Sequence, residues 1–406
     1  MRVVIIAQLF PPDMGGGSTR AFNIAKGLIL NGCDVVVVSA FPHYPAGDIP
    51  AKYRWRPLVF ERVDGISVIR TPVPPVASEK LTKRLVLFIS FAVTSLFALP
   101  FSGRVNVVWA ANPNLISFVP ARIFSFVKRA PVGLNVDDLW PEDMGLPDTS
   151  ILYKVIRLVA RVVYQKAQVI TPISPDYVDT INQSYGDHNK KIHVIGGGVD
   201  VSIFKPAEDG LTTMKSINEF VVLYSGSFST AYDFEQVLLA AREVQAGFES
   251  SVRFVIQGKG ELANNIKRRI VELELNNIAL VEKILSRPDV AKMLQQSSAL
   301  VLPLKDLGRP YSGISSKIYE YQAVGKPVLC CAQGAPSSHI ERTRSGIVVR
   351  PGDFKSLAES ILYLKRHPEV AGELGKNGRD YVERTSTIER IGRKMKVALE
   401  QVLQSN

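Results

Sequence analysis

Short apolar runs recur along the chain, separated by stretches with helical spacing. Val3–Ala7 is a continuous apolar run of strand length. In Arg20–Leu30, Ala21, Ile24, Ala25 and Leu28 share one helical face, and Asn31-Gly32 supplies a stop. Val35–Ser39 predicts a second strand, and Val105–Ala110, Val132–Val136, Val169–Pro172 and Ile192–Ile195 continue the series. Strands alternating with helices predict a parallel, doubly wound α/β sheet.

The pattern breaks at Asp200–Ser216, where Pro206, Gly210 and polar residues replace any periodicity. It then restarts. Strands are predicted at Val221–Tyr224, Val252–Ile256, Ile278–Val281, Ala299–Pro303 and Val328–Cys331. Helices are predicted at Phe234–Ala246, Leu262–Leu273, Pro288–Gln296, Ile318–Val324 and Phe354–Lys365. The expectation is two doubly wound domains, 1–204 and 218–384, joined by a linker at 205–217 and facing a central cleft. A C-terminal helix over 385–406 is available to complete the first domain.

Composition narrows the class. The chain has 406 residues, enough for two or three domains, with 46% hydrophobic and 21% charged residues. That excludes a disordered chain. The three cysteines, Cys33, Cys330 and Cys331, have neither a disulfide framework nor metal-ligand spacing, which fits a reducing compartment. The start of the chain lacks the pattern of a secretory signal. The formal net charge of +11 points to an anionic partner: nucleic acid, a membrane surface or a phosphorylated substrate. Leu85–Phe101 carries no charge and follows Lys80, Lys83 and Arg84. It reads as a buried helix, an in-plane membrane helix or a span, and the residues leave all three open.

Several strand ends carry chemistry. Pro11-Pro12-Asp13-Met14-Gly15-Gly16-Gly17-Ser18 joins the first strand to the first helix, where glycine N–H groups approach a phosphate or sugar, or simply make a turn. Asp137-Asp138 at the end of another strand suits a general base or a hydroxyl acceptor, and equally a helix cap. Gly226-Ser227-Phe228-Ser229 suits a diphosphate, or a turn, and Gly258-Lys259-Gly260 and Gly196-Gly197-Gly198 are uninformative alone. The most specific run is Tyr311 to Val328. Serines precede a helix carrying Lys317 and, three residues on, Glu320. One helix face then holds a cation for a phosphate and a carboxylate for paired ribose hydroxyls; the bland alternative is a surface Lys–Glu pair.

At this run the sequence resembles the retaining GT-B glycosyltransferases of family 4, most of all the surface-polysaccharide branch that includes the L-fucosamine transferases. The resemblance covers nearly the whole chain: Phe10-Pro11-Pro12 with its glycines, Asp138-Leu139-Trp140-Pro141, Val199-Asp200 with Phe204, Ser316-Lys317 with Glu320-Tyr321, Gly325-Lys326-Pro327-Val328, Val349 to Asp353, and Gly375 to Arg379. It implies that Glu320 binds the ribose. It implies that Lys317, with the backbone of Ser315 and Ser316, binds the donor diphosphate, and that Gly313, Ile314, Gly226, Ser227 and Gly258 line the nucleotide site. Gly15, Gly16 and Gly17, with Ser312 and Arg309, would approach the donor sugar or phosphate, and Asp138 would face the reacting centre. There are two departures. A glutamate expected eight residues before Glu320 is Ser312, and an Arg and a Lys expected after Gly226 are absent from Ser227 to Tyr232.

The function expected is transfer of a hexosyl or N-acetylhexosaminyl group from a nucleotide sugar, UDP-linked, to a lipid-linked or growing glycan. No metal or other cofactor is expected. Ile151–Ala167 interleaves Lys154, Arg157, Arg161 and Lys166 with apolar residues. With Leu85–Phe101 it makes an anionic membrane surface the expected partner, on the cytoplasmic face of the cell membrane. Two other classes remain: a sugar-nucleotide epimerase of the same architecture, and a basic nucleic-acid-binding protein, the latter without zinc spacing, an RNP-like motif or a recognition helix.

Overall fold

A computed structural model describes residues 1–13, 15–44, 47–76, 81–111, 115–186, 191–207, 219–247 and 250–404. Met14 of the glycine run, Lys80 and linker residues 208–217 lie outside the described residues. The chain forms two compact units, Met1–Gly198 with Ile388–Asn406, and Val199–Thr387.

The first unit runs β1 (Arg2–Ile6), α1 (Gly16–Leu30), β2 (Asp34–Ala40), β3 (Val59–Val63), β4 (Ile66–Thr71), α2 (Leu81–Thr94), β5 (Val107–Ala110), α3 (Phe118–Lys128), β6 (Val132–Val136), α4 (Ile151–Lys166), β7 (Val169–Pro172) and α5 (Asp176–Tyr185). The second runs β8 (Phe220–Ser227), α6 (Phe234–Ala246), β9 (Val252–Lys259), α7 (Ala263–Glu272), β10 (Ile278–Val281), α8 (Arg287–Gln296), β11 (Ala299–Pro303), α9 (Ser316–Ala323), β12 (Val328–Cys331), α10 (Ala335–Thr343), β13 (Gly346–Val349), α11 (Phe354–Arg366) and α12 (Pro368–Thr385). The last helix, α13 (Ile388–Gln404), belongs to the first unit.

The first sheet has the order β3-β4-β2-β1-β5-β6-β7 and the second β10-β9-β8-β11-β12-β13. Every pairing is parallel except the hairpin β3–β4. Central strands are covered on both faces, which is why their sequence is apolar throughout. In β1, Val4 and Ile6 enter a core roofed by α2, α3 and α4, while Val3 and Ile5 enter one roofed by α1 and α13. The fold is thus α/β, with two Rossmann-like units.

Several expectations need correction. The hairpin β3–β4 was not foreseen; Asp64-Gly65 makes its turn, both residues with positive φ. Ile192–Ile195 is no strand: its backbone makes one bridge, Ile170 to Ile192. The first helix starts at Gly16 rather than Arg20, so Gly16 and Gly17 form its first turn. The first unit ends at Gly198 rather than 204, because Val199 is tied into the second unit by its N–H to Ser386 O at 2.9 Å.

Leu85–Phe101 divides into the end of α2 and a 3₁₀ helix, Ser95–Ser102. Leu87, Phe91 and Ala98 are buried, whereas Val86, Ile89, Val93, Phe97 and Phe101 are exposed. The stretch is therefore not a core helix. By length and composition alone, Thr82–Ser102 could cross a membrane.

Candidate functional site

The second unit gathers most of the expected site residues at the carboxyl ends of its central strands. Gly226 and Ser227 end β8, and Gly258 lies opposite Gly226 on β9. A Cβ on Gly258 would sit 1.6 Å from Gly226 O, so only glycine allows this approach. Arg309, Ser312, Gly313 and Ile314 lie in the loop after β11. Ser315 is the N-cap of α9 and Ser316 opens it. The first turn holds no acid and its N–H groups are uncapped by side chains, so the helix start favours an anion. The Ile314 side chain is buried with Ile318 and Leu302 in the unit's core, so it is the backbone there that is open to a ligand.

Lys317 lies across the end of β8. A Cβ on Gly226 would meet its Cε at 2.1 Å. Its ammonium donates to Tyr232 Oη at 3.0 Å and sits over the rings of Tyr232 and Tyr224, at 4.9 and 5.9 Å. Burial pushes the Tyr232 phenol up, but the Lys317 charge together with hydrogen bonds from Lys317, Tyr224 and Ser315 outweighs it, and the net shift is downward. Tyr232 falls in the stretch where the expected Arg and Lys are missing. Nothing in the local pattern marks this tyrosine as the anchor of Lys317, since the two meet only in the fold.

Glu320 lies one turn further along α9, half-buried, with Arg287 Nη2 at 3.7 Å. Arg287 in turn stacks over Phe204 at 5.2 Å. Burial pushes the Glu320 carboxyl up, while Arg287 and Lys317 pull it down; the net is upward. Arg287 was also missed, because it opens α8 some thirty residues from the motif and nothing in its local pattern marks it.

The first unit holds the other expected residues. Gly15, at φ +110°, caps α1, where a side chain would be strained. Behind it, Asp13 Oδ1 accepts the N–H groups of His43 and Tyr44, each at 2.8 Å. The acidic pair at the end of β6 divides its tasks. Asp137 is held by Arg20 at 2.7 Å, and Arg20 also donates to the carbonyls of Ile195 and Gly196. Asp143 takes the local capping role that Asp138 could have filled, accepting Leu139 N–H at 2.8 Å and the Tyr177 hydroxyl at 3.0 Å. Among the described residues, no hydrogen bond or ion pair holds Asp138. Its carboxyl is pushed up to about 7 by the surrounding protein, then by the Asp137 and Asp143 carboxylates. Solvent reaches the side chain, which tempers the first cause; the two neighbouring charges act regardless. Among the described residues, no group of three or more His, Cys, Asp or Glu is placed to hold a metal.

Two family models match the chain: "Glycosyl transferase 4-like domain" over residues 15–198 and "Glycosyl transferases group 1" over residues 214–381. A sucrose-phosphate synthase from Thermosynechococcus elongatus shares the fold with a TM-score of 0.80 at 17% identity, over 100% of both chains. The two units carry glycosyl transferase domains, on a GT-B fold. Among solved structures, this glycosyltransferase is also similar to Anabaena HepE in complex with UDP, with a TM-score of 0.71 at 16% identity over 99% of this chain and 100% of the other. In sequence it is 23% identical to WcaI of Escherichia coli K12, named as a colanic acid biosynthesis glycosyl transferase, over 96% of this chain and 98% of the relative. Because both matching models describe transferases, the epimerase and nucleic-acid readings are disfavoured.

Proposed function

We propose that the enzyme transfers a sugar from a UDP-linked donor to a lipid-linked or growing surface glycan, with retention of anomeric configuration. The observation that carries this reading is Lys317, anchored across the end of β8 at the start of α9, with Glu320 one turn away. In the reading, the α9 N-terminus, Lys317 and the glycine-lined strand ends receive the diphosphate, and Glu320 accepts the ribose hydroxyls. As the glycosidic bond breaks, negative charge grows on the diphosphate and the ammonium stabilises it in place, so no divalent cation is required. Asp138, with Gly15 to Gly17 in the same unit, serves the acceptor or the reacting sugar. WcaI's name and the UDP held by HepE support the glycan and donor classes. The acceptor class and the basic apolar helices of the first unit support work at the cytoplasmic surface of the cell membrane.

Calorimetry with UDP tests the donor assignment. Glu320→Ala is expected to weaken UDP binding by about 1–3 kcal/mol, the scale of hydrogen bonds to a charged acceptor. Unchanged affinity would sink the ribose role. A donor screen scored by UDP release, with membrane lipid extract as acceptor and EDTA present, tests the class. NMR of the product's anomeric proton tests retention.

A further inference from the structure

The helical layer of the first unit turns an apolar face to solvent. Along α2 and the 3₁₀ helix, Val86, Ile89, Val93, Phe97 and Phe101 recur every three or four residues, all exposed. Within Thr82–Ser102, only 28% of the most apolar 18-residue stretch is buried. Leu87, Phe91 and Ala98 on the opposite side are locked into the core beneath the sheet, and Thr94 Oγ1 donates to Pro72 O at 2.8 Å. To cross a bilayer, the segment would have to leave that core. Its place in the fold instead holds it flat, with one side free.

Neighbouring helices extend this face. The helix α3 packs on the 3₁₀ segment and adds Val119, Ile123, Phe126 and Val127, with Phe126 74% exposed. The helix α4 contacts the same short turn, Leu115–Ser117, as α2 does. It points Ala160, Val163 and Tyr164 inward but shows Ile151, Val155, Leu158 and Val162 to water, Ile151 81% exposed. An apolar face of this extent marks an interaction surface rather than scattered exposed residues.

Charge selects the partner. Between Glu79 and Asp137 the sequence has no acidic residue and seven Lys and Arg, and residues 151–175 have four Lys and Arg and again no acid. Lys154, Arg157 and Arg161 border the apolar stripe of α4 and are exposed. A partner protein core would not ask for this fringe, whereas an anionic headgroup layer over acyl chains matches both halves. We propose that the face formed by α2 with its 3₁₀ continuation, α3 and α4 docks on an anionic lipid bilayer, lying in its surface rather than spanning it. The inference rests on the lipid-borne acceptor reading and deepens it. Phe88 of α2 contacts Trp140, two residues from Asp138, with ring centroids 6.1 Å apart. Docking therefore brings the Asp138 loop to the level of the headgroups, where a lipid-linked glycan begins.

The full chain is tested by flotation with vesicles of phosphatidylcholine containing phosphatidylglycerol, against phosphatidylcholine alone, with UDP affinity measured in parallel. Flotation with the anionic vesicles is expected, released in part by high salt. A Val93→Asp/Phe97→Asp variant is expected to partition at least about tenfold more weakly, because burying one large apolar side chain is worth that much. Arg157→Glu/Arg161→Glu is expected to lose the salt-sensitive part. Both should keep wild-type UDP affinity, which separates docking from the donor site. Since Cys33, Cys330 and Cys331 are buried, a dye on Phe97→Cys reports this face without misfolding by charge; a blue shift with anionic vesicles is expected. The proposal is overturned if the wild type stays with the soluble fraction at low salt, if both charge variants float normally, or if the dye shifts without vesicles as the protein dimerises. Flotation with no UDP affinity would instead sink the donor reading and leave docking standing.

Discussion

At the scale of single residues, Lys317 and Asp138 divide the predicted chemistry. Lys317 is held by Tyr232, which positions its charge for the departing diphosphate. Lys317→Ala is expected to lower kcat about 100-fold or more with a smaller change in donor KM, since the interaction strengthens in the transition state; steady-state kinetics decide. Asp138 gives a pH signature. Its folded pKa lies above the usual carboxylate value, held up by the surrounding protein and by the Asp137 and Asp143 charges beside it. Above about pH 4 the unfolded chain has released this proton while the folded chain still binds part of it, so the group's contribution to stability falls as pH rises through the folded pKa. If Asp138 serves the acceptor as an anion, kcat/KM rises with pH through that raised pKa. Asp138→Asn should abolish that limb, reduce transfer about 100-fold, leave UDP binding intact and raise the melting temperature at pH 8. Wild-type transfer, or a normal pH profile, would remove Asp138 from the mechanism. Lys317 and Glu320 were legible because serine, lysine and glutamate stand close together on one helix. Tyr232 and Arg287 were not, since each meets its partner only through the fold, across 85 residues for Tyr232 and Lys317.

At the scale of elements, buried strands were the clearest signal. The ranges β6, β7, β11 and β12 were read to the residue, because parallel strands covered on both faces are largely apolar; β10, a half-exposed edge strand, was read to the residue from its apolar run alone. Elements with polar, half-exposed faces were harder: β3, α5, α10 and α12 give weak patterns and were not assigned. Glycine positions inside helices were also opaque. In α1 and α13 they are contact points: a Cβ on Gly392 would lie 2.1 Å from Gly27 C, and one on Gly27 2.5 Å from Ile388 O. Gly392→Ala should therefore force the helices apart and cost about 1–3 kcal/mol. Gly372 of α12 has nothing within 4 Å of its absent Cβ, and Gly372→Ala should stabilise its own unit by about 0.5–1 kcal/mol. The three tryptophans, Trp55, Trp109 and Trp140, all lie in the first unit. Tryptophan fluorescence in denaturant should then move for Gly392→Ala and stay still for Gly372→Ala; equal behaviour would refute the contact.

At the scale of the whole molecule, the doubly wound architecture was legible from alternation alone, and the +11 charge finds a place on the acid-free helices of the first unit. What alternation could not reveal is where the last helix goes. The helix α13 gives Ile391, Met395, Ala398, Leu399 and Val402 to the first unit's core, and Lys396 Nζ reaches Asn31 O at 3.0 Å. A chain ending at Thr387 should thus show red-shifted tryptophan emission, and native emission from it would contradict the packing. The same connection fixes an order of events at the ribosome. Domains usually close in the order in which they emerge. Here residues 1–198 must wait, one apolar roof missing, while the whole of the second unit is made. Nascent chains arrested with residue 387 just outside the exit tunnel should yield a protease-resistant fragment from the later half and digestion of the earlier one. Of the two units, the one made earlier is thus the one that closes later, and through that interval its β1 and α1 surfaces stand open to whatever chaperone is present.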